Sequence, residues 1–205
     1  MPPQIPTHFE PLRPRFHFTA PTGWLNDPNG LVFVNGTYHL FYQHNPFGTE
    51  WGNMTWGHAT STDLVHWEHL PSALEPDSLG TMFSGSAVVD HQNDSGFGKD
   101  GKAPILCFYT AAGGTNDASK GKPFTQCLAW SLDGKTFHKF GRNPIVANMA
   151  EGNRDPKVVW DPEHRQWLMA LYLIGGKYTL LGSKDLKQWT RLSDIETPGT
   201  DECPD

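Results

Sequence analysis

The stretch Gly182-Ser183-Lys184-Asp185-Leu186-Lys187-Gln188-Trp189 decides the architecture, because two earlier stretches repeat its pattern. They are Thr60-Ser61-Thr62-Asp63-Leu64-Val65-His66-Trp67 and Trp130-Ser131-Leu132-Asp133-Gly134-Lys135-Thr136-Phe137. All three share Ser-X-Asp-(Leu/Gly)-X-X-aromatic, which reads as a strand end, a turn and a strand start. The aspartates lie 70 and 52 residues apart. Four-stranded units recurring at about this length are propeller blades.

Working outward, the chain is a series of short apolar runs broken by Gly, Asn, Asp and Pro. No window keeps a 3.6-residue period with helix caps, so the class is all-β. The first blade takes Leu31–Val34, Tyr38–Gln43, Gly57–Ser61 and His66–Leu70, with Asn35-Gly36 as a hairpin turn. The second takes Phe83–Asp90, Ile105–Ala111, Thr125–Ser131 and Phe137–Phe140. The third takes Lys157–Asp161, Trp167–Leu173, Tyr178–Ser183 and Trp189–Leu192, and Glu202 opens a fourth. The acidic, Gly-rich stretch from His91 to Lys102 is a surface loop. Residues 1–15, with five prolines, are an extended arm. Residues 16–205 are the propeller part.

Three acid-bearing turns carry the chemistry. In Trp24-Leu25-Asn26-Asp27-Pro28-Asn29-Gly30, proline and Asn-Gly punctuation forces a change of direction and holds Asp27 at a strand entrance. Arg154-Asp155-Pro156 and Glu202-Cys203-Pro204-Asp205 are the other two. With Ser84 they fall one per blade, each beside a first strand. First strands line a propeller's central channel, so Asp27, Ser84, Asp155 and Glu202 are expected in one axial pocket.

The motifs at 24–30, 83–86 (Phe-Ser-Gly-Ser), 154–156 and 202–205, with a further match over Gln43 to Trp51, resemble glycoside hydrolase family 32. This family comprises the β-fructosidases: invertases, inulinases and levanases. The resemblance implies a five-bladed β-propeller, present here as three blades and the start of a fourth. The remaining blades and a C-terminal β-sandwich are absent from this sequence. It also implies retaining hydrolysis of terminal β-D-fructofuranosyl bonds in levan, inulin and sucrose. Asp27 is then the nucleophile and Glu202 the acid/base, with Asp155 gripping fructose hydroxyls. Asn26, Gln43 and Ser84 would hydrogen-bond the fructose unit, Trp51 and Phe83 would wall it, and Cys203 would set the surroundings of Glu202.

Elementary chemistry agrees with that division. An oxocarbenium-like transition state needs one ionised carboxylate and one protonated acid. Burial and neighbouring negative charge keep an acid protonated, and Asp27 and Asp155 both supply such charge to Glu202. Arg154 favours the ionised form of Asp155 and forms charge-assisted bonds to hydroxyls. The match is nearest to levanases and exo-inulinases, with Thr55 standing where that group has His. Two other readings keep the same residues: a fructosyltransferase, in which a second sugar replaces water, and an inactive chain that binds fructans.

Composition excludes other classes. Of 205 residues, 16 are Lys or Arg and 22 Asp or Glu, a net charge of −6, which disfavours nucleic acid and anionic membranes as partners. Eight tryptophans suit flat sugar-binding surfaces. No apolar run reaches membrane-spanning length, and Met1-Pro2-Pro3-Gln4-Ile5-Pro6 lacks a signal peptide's apolar region. Cys107, Cys127 and Cys203 are odd in number and expected as free thiols, although Cys107 and Cys127 could pair across neighbouring strands. Sequons stand at Asn35, Asn53 and Asn93. His39 with His44 and His66 with His69 match no metal-ligand spacing, and His58, His66 and Trp67 read as strand residues. No phosphate loop occurs, so neither metal nor nucleotide cofactor is expected.

Overall fold

A computed structural model describes residues 11–14 and 16–197. It contains twelve strands: β1 Trp24–Val34, β2 Thr37–Asn45, β3 Thr55–Ser61, β4 Glu68–Leu74, β5 Thr81–Val89, β6 Ile105–Ala112, β7 Thr125–Ser131, β8 His138–Lys139, β9 Arg154–Asp161, β10 Gln166–Tyr172, β11 Lys177–Ser183 and β12 Thr190–Glu196. They form three four-stranded antiparallel sheets in sequential order, β1-β2-β3-β4, β5-β6-β7-β8 and β9-β10-β11-β12. The all-β class and the grouping of strands match the expectation. No helix among the described residues is long and apolar enough to cross a membrane.

Each sheet folds up as a meander because its turns are specified locally. Asn35 and Gly36 both adopt positive φ, 51° and 79°, as a two-residue hairpin turn requires. The repeated Ser-X-Asp turn works the same way three times. In the third sheet Ser183 Oγ accepts from Leu186 N at 2.8 Å, while Asp185 Oδ1 accepts from Lys187 N at 2.9 Å and Gln188 N at 2.7 Å. Ser61 with Asp63, and Ser131 with Asp133, make the equivalent bonds. The residue after the aspartate turns left-handed in each copy: Leu64 at 64°, Gly134 at 67° and Leu186 at 62°. His66 and Trp67 belong to this turn and not to a strand, since β4 begins only at Glu68. The Asp63 carboxylate draws the chain and the His66 ring back toward itself.

The sheets stack through two cores that share β6. Every β6 residue is buried. Ile105, Cys107, Tyr109 and Ala111 face the first sheet and join Phe41, Trp56, Leu74 and Met82. Leu106 and Phe108 face the third sheet and join Leu128, Met169, Leu171 and Leu186. A strand covered on both faces reads as a continuous apolar run, as Ile-Leu-Cys-Phe-Tyr does. Cys107 and Cys127 are buried free thiols. Burial pushes Cys127 up to about 12, so both stay as inert thiols.

Of the arm expected over 1–15, residues 11–14 form a turn. Arg13 pins it by donating to Thr19 Oγ1 and to the carbonyls of Ala20 and Pro21. The loop after β5 closes on the buried carboxylate of Asp90, which accepts from Asp94 N and Ser95 N. It then ties to the third sheet through Trp167 Nε1 on Asp94 and Lys187 Nζ on Ser95 O.

Candidate active site

The first strands β1, β5 and β9 lie side by side, and each is deformed where its motif sits. In β1, Leu25 pairs with His44 and Pro28 with Tyr42, so Asn26 and Asp27 together oppose Gln43 alone. In β5, Phe83 pairs with Thr110 and Gly85 with Tyr109, leaving Ser84 as the extra residue. In β9, Asp155 and Pro156 oppose Leu171 alone, between pairs made by Arg154 and Lys157. These are β-bulges, which re-aim a side chain and are concentrated beside active sites.

The expectation that Asp27 and Asp155 sit in turns is therefore corrected. Both lie inside strands whose pairing is interrupted. Pro28 and Pro156 are tolerated because each sits at a register shift in a strand that pairs on one side only. Asp155 takes φ +62°, held there by the bond from its N–H to Thr110 Oγ1 at 3.0 Å.

The bulges bring Asn26, Asp27 and Ser84 together. Ser84 Oγ donates to Asp27 Oδ2 at 2.6 Å, across the two sheets. Asn26 Nδ2 donates to Asp27 Oδ1 at 3.0 Å and is itself oriented by Trp24 Nε1 at 2.8 Å. Both carboxylate oxygens of Asp27 thus have a fixed donor. Gln43, opposite this bulge, is 2% exposed, and its Nε2 has no hydrogen-bond partner. A buried amide donor left unpaired at a site is a ready contact for a hydroxyl oxygen. Arg154 Nε stands 3.4 Å from Asp155 Oδ2, with its guanidinium 4.9 Å from the centre of the Tyr172 ring. Trp51 meets Phe83 edge to face at 5.8 Å, and Phe83 meets Phe124 likewise at 5.3 Å. Trp51 is 56% exposed, so its ring is a surface and not core. Glu202 and Cys203 lie outside the described residues.

Several supporting residues were not anticipated. Asn29 accepts from Gly85 N at 3.1 Å, tying β1 to β5. Ser86 Oγ donates to Pro156 O at 2.7 Å and accepts from Val158 N at 2.9 Å, tying β5 to β9. Gly85 has to be glycine: a Cβ there would lie 2.0 Å from Phe108 O. Thr110 Oγ1 in turn donates to Gln126 Oε1 at 2.7 Å, and Gln126 Nε2 donates to Asn153 O. Thr110 was legible as the one aliphatic hydroxyl in the apolar β6 run, and Asn29 as part of the Asp27 motif. Ser86 closes the 83–86 motif, and nothing in the sequence marked Gln126.

Comparison with known proteins is consistent throughout. The glycosyl hydrolases family 32 N-terminal domain matches residues 17–205. A levanase of Bacillus subtilis is 45% identical over 203 residues, which is 96% of this chain and 29% of that protein. The crystal structure of exo-inulinase from Aspergillus awamori superposes with a TM-score of 0.82 at 40% identity, covering 92% of this chain and 41% of that one. A β-fructofuranosidase of Schwanniomyces occidentalis complexed with fructosyl-erythritol gives 0.81 at 39%, covering 90% and 36%. The chain thus spans well under half the length of these relatives. On the family match and these identities, the chain belongs to glycosyl hydrolase family 32.

Proposed function

We propose that the protein releases terminal β-D-fructofuranosyl units from fructans and sucrose with retention of configuration. The observation that carries this reading is the Asp27 carboxylate, held by Ser84 from one side and Asn26 from the other. An anchored carboxylate with both oxygens oriented suits attack on an anomeric carbon. In the first step Asp27 bonds to C2 of the fructosyl unit as the C2–O bond breaks, and Glu202 delivers its proton to the leaving oxygen. In the second, water attacks C2 and gives a proton to Glu202 as the bond from C2 to Asp27 breaks, which frees fructose and restores the Asp27 carboxylate. Retaining chemistry places such carboxyls about 5 to 5.5 Å apart. Arg154 and Asp155 grip ring hydroxyls. Asn26, Gln43 and Ser84 offer neutral hydrogen bonds, and Trp51 and Phe83 give the ring an apolar wall. Cys203 adjoins the acid. In the five-bladed ring that this reading implies, the three sheets bring the nucleophile and most of the fructose contacts.

The test is fructose release from sucrose and levan by the 205-residue chain beside its Glu202→Gln variant. Loss of a general acid lowers the rate on sucrose by about 10²- to 10⁴-fold. The loss is much smaller on an aryl fructoside, whose leaving group needs no proton. Equal losses on both substrates, or no release by the parent, overturn the reading for this chain.

Ser84→Ala leaves Asp27 without its 2.6 Å donor. A hydrogen bond to a charged group is worth about 1.5–3 kcal/mol, so kcat/KM for sucrose drops about tenfold to a hundredfold. Steady-state kinetics with a matched melting curve checks this. An unchanged kcat/KM means that the bond is incidental.

A further inference from the structure

A second site lies at the other end of the strands. Between the first two sheets, where β3 and β7 run into their Ser-X-Asp turns, is a cavity of about 570 Å³. It is lined at one end by Val34 and Thr37 and at the other by the turn at Ser131 to Lys135. Gln43 pairs with Trp56 at one end of the β2–β3 ladder and Tyr38 with Ser61 at the other. Five residues of strand separate the two ends, about 17 Å at the usual rise. The cavity is therefore distinct from the site around Asp27.

A buried histidine pair underlies it. His39, 6% exposed, lines the cavity, and its Nδ1 lies 3.1 Å from Nε2 of His58, which is fully buried. The repeat shows that these residues are not what the fold needs there. Counting from the repeated serine along each ladder, His39 and His58 of the first sheet correspond to Leu106 and Leu128 in the second. In the third they correspond to Leu168 and Leu180. Two sheets fill the positions with leucine, while the first spends a polar pair on them.

The pair has a definite polarity. His58 Nδ1 is buried without a partner. Orphaned N–H groups are rarer than orphaned acceptors, so Nδ1 carries the lone pair and Nε2–H donates to His39 Nδ1. His39 Nε2 is then protonated. It has no partner among the described residues, and it lies on the side of Gly134, which lines the cavity. The cavity thus holds one preset N–H donor on its floor. Around it stand the Trp67 indole, the hydroxyls of Thr60 and Thr62, and the charged groups Glu68, Asp133 and Lys135. Two carboxylates against one ammonium disfavour an anionic ligand. Hydroxyls, an aromatic face and a fixed donor are the composition that holds a sugar.

We propose that this cavity is a second, non-catalytic sugar site that holds a fructan chain away from the point of cleavage. A fructosyl oxygen accepts from His39 Nε2–H, and the ring rests against Trp67. The inference relies on the fructan reading above for the identity of the sugar, and on the cavity alone for its place.

The test is native affinity electrophoresis of the Asp27→Asn chain, which leaves polymer intact, in gels containing levan, inulin or dextran. Levan or inulin retards it, and dextran does not. Adding His39→Leu with His58→Leu, which installs the leucines of the other sheets, weakens retardation about fivefold, as loss of one hydrogen bond predicts. Adding Trp51→Ala instead leaves most of it. Retardation that survives the double leucine variant, is matched by dextran, or vanishes with Trp51→Ala overturns the second site. The last result still supports fructan binding around Asp27, whereas retardation through the cavity without fructose release would count only against the proposed activity. A readout independent of the variant's folding is the ¹⁵N signal of His39 Nε2. Levan oligosaccharide shifts it, and an unmoved signal overturns the proposal.

Discussion

Asp27→Asn lowers kcat for fructose release by about 10⁴-fold or more, the loss typical of removing a nucleophile from a preorganised site. The change swaps one oxygen for an amide nitrogen of the same size. Ser84 Oγ can still donate to the remaining oxygen, so the link between β1 and β5 survives and KM changes little. Sucrose kinetics and a melting curve on the same preparation separate chemistry from folding. A variant that retains about 1% of the rate or more, far above that expectation, would show that Asp27 only positions the sugar.

The second large effect is on acid stability. Burial, and then the neighbouring His39, hold His58 down at about 3, and burial lowers His39 as well. In the unfolded chain both titrate near 6.5. Above that pH neither state carries the proton and the pair is neutral to stability. As the pH falls below 6.5 the unfolded chain takes up protons that the folded chain refuses, so stability is lost progressively toward pH 3. At pH 4 the loss from His58 alone is about 3 kcal/mol. Urea titrations at pH 7 and pH 4 should therefore show a larger drop for the parent than for His39→Leu with His58→Leu. Carboxylates contribute equally to both and cancel. Equal drops would mean that His58 is not held neutral in the fold.

Much of the fold was legible because alternation and turn chemistry agree along most of the chain. The Ser-X-Asp repeat specified three turns by the same bonds, and the strands between them followed from short apolar runs. The placement of the candidate residues was legible, since Asp27, Ser84 and Asp155 do fall on three adjacent first strands. Its local form was not. Pro28, Asn29-Gly30 and Pro156 are turn signals by propensity, but a strand paired on one side only can absorb them as bulges. Whether a proline ends a strand or deforms it depends on the neighbour, which local sequence does not state. His66 and Trp67 misled for a related reason: the Asp63 carboxylate holds the His66 backbone and ring in the turn, and β4 starts only at Glu68. The His39–His58 pair was visible only as two histidines until the register set them against leucines.

The bulge at Ser84 has a consequence for how such a protein can change. Side chains on a regular strand are odd or even, and each set belongs to one face. Met82 and Ala87 stand five apart, an odd interval, yet both enter the same core. The extra residue has reset the count between them. The stretch before the bulge therefore keeps its own parity, and its chemistry can be rewritten without moving any methyl group behind it. Deleting Ser84 would remove more than a hydroxyl, because it would put the two ends of β5 back in phase and turn one of them inside out.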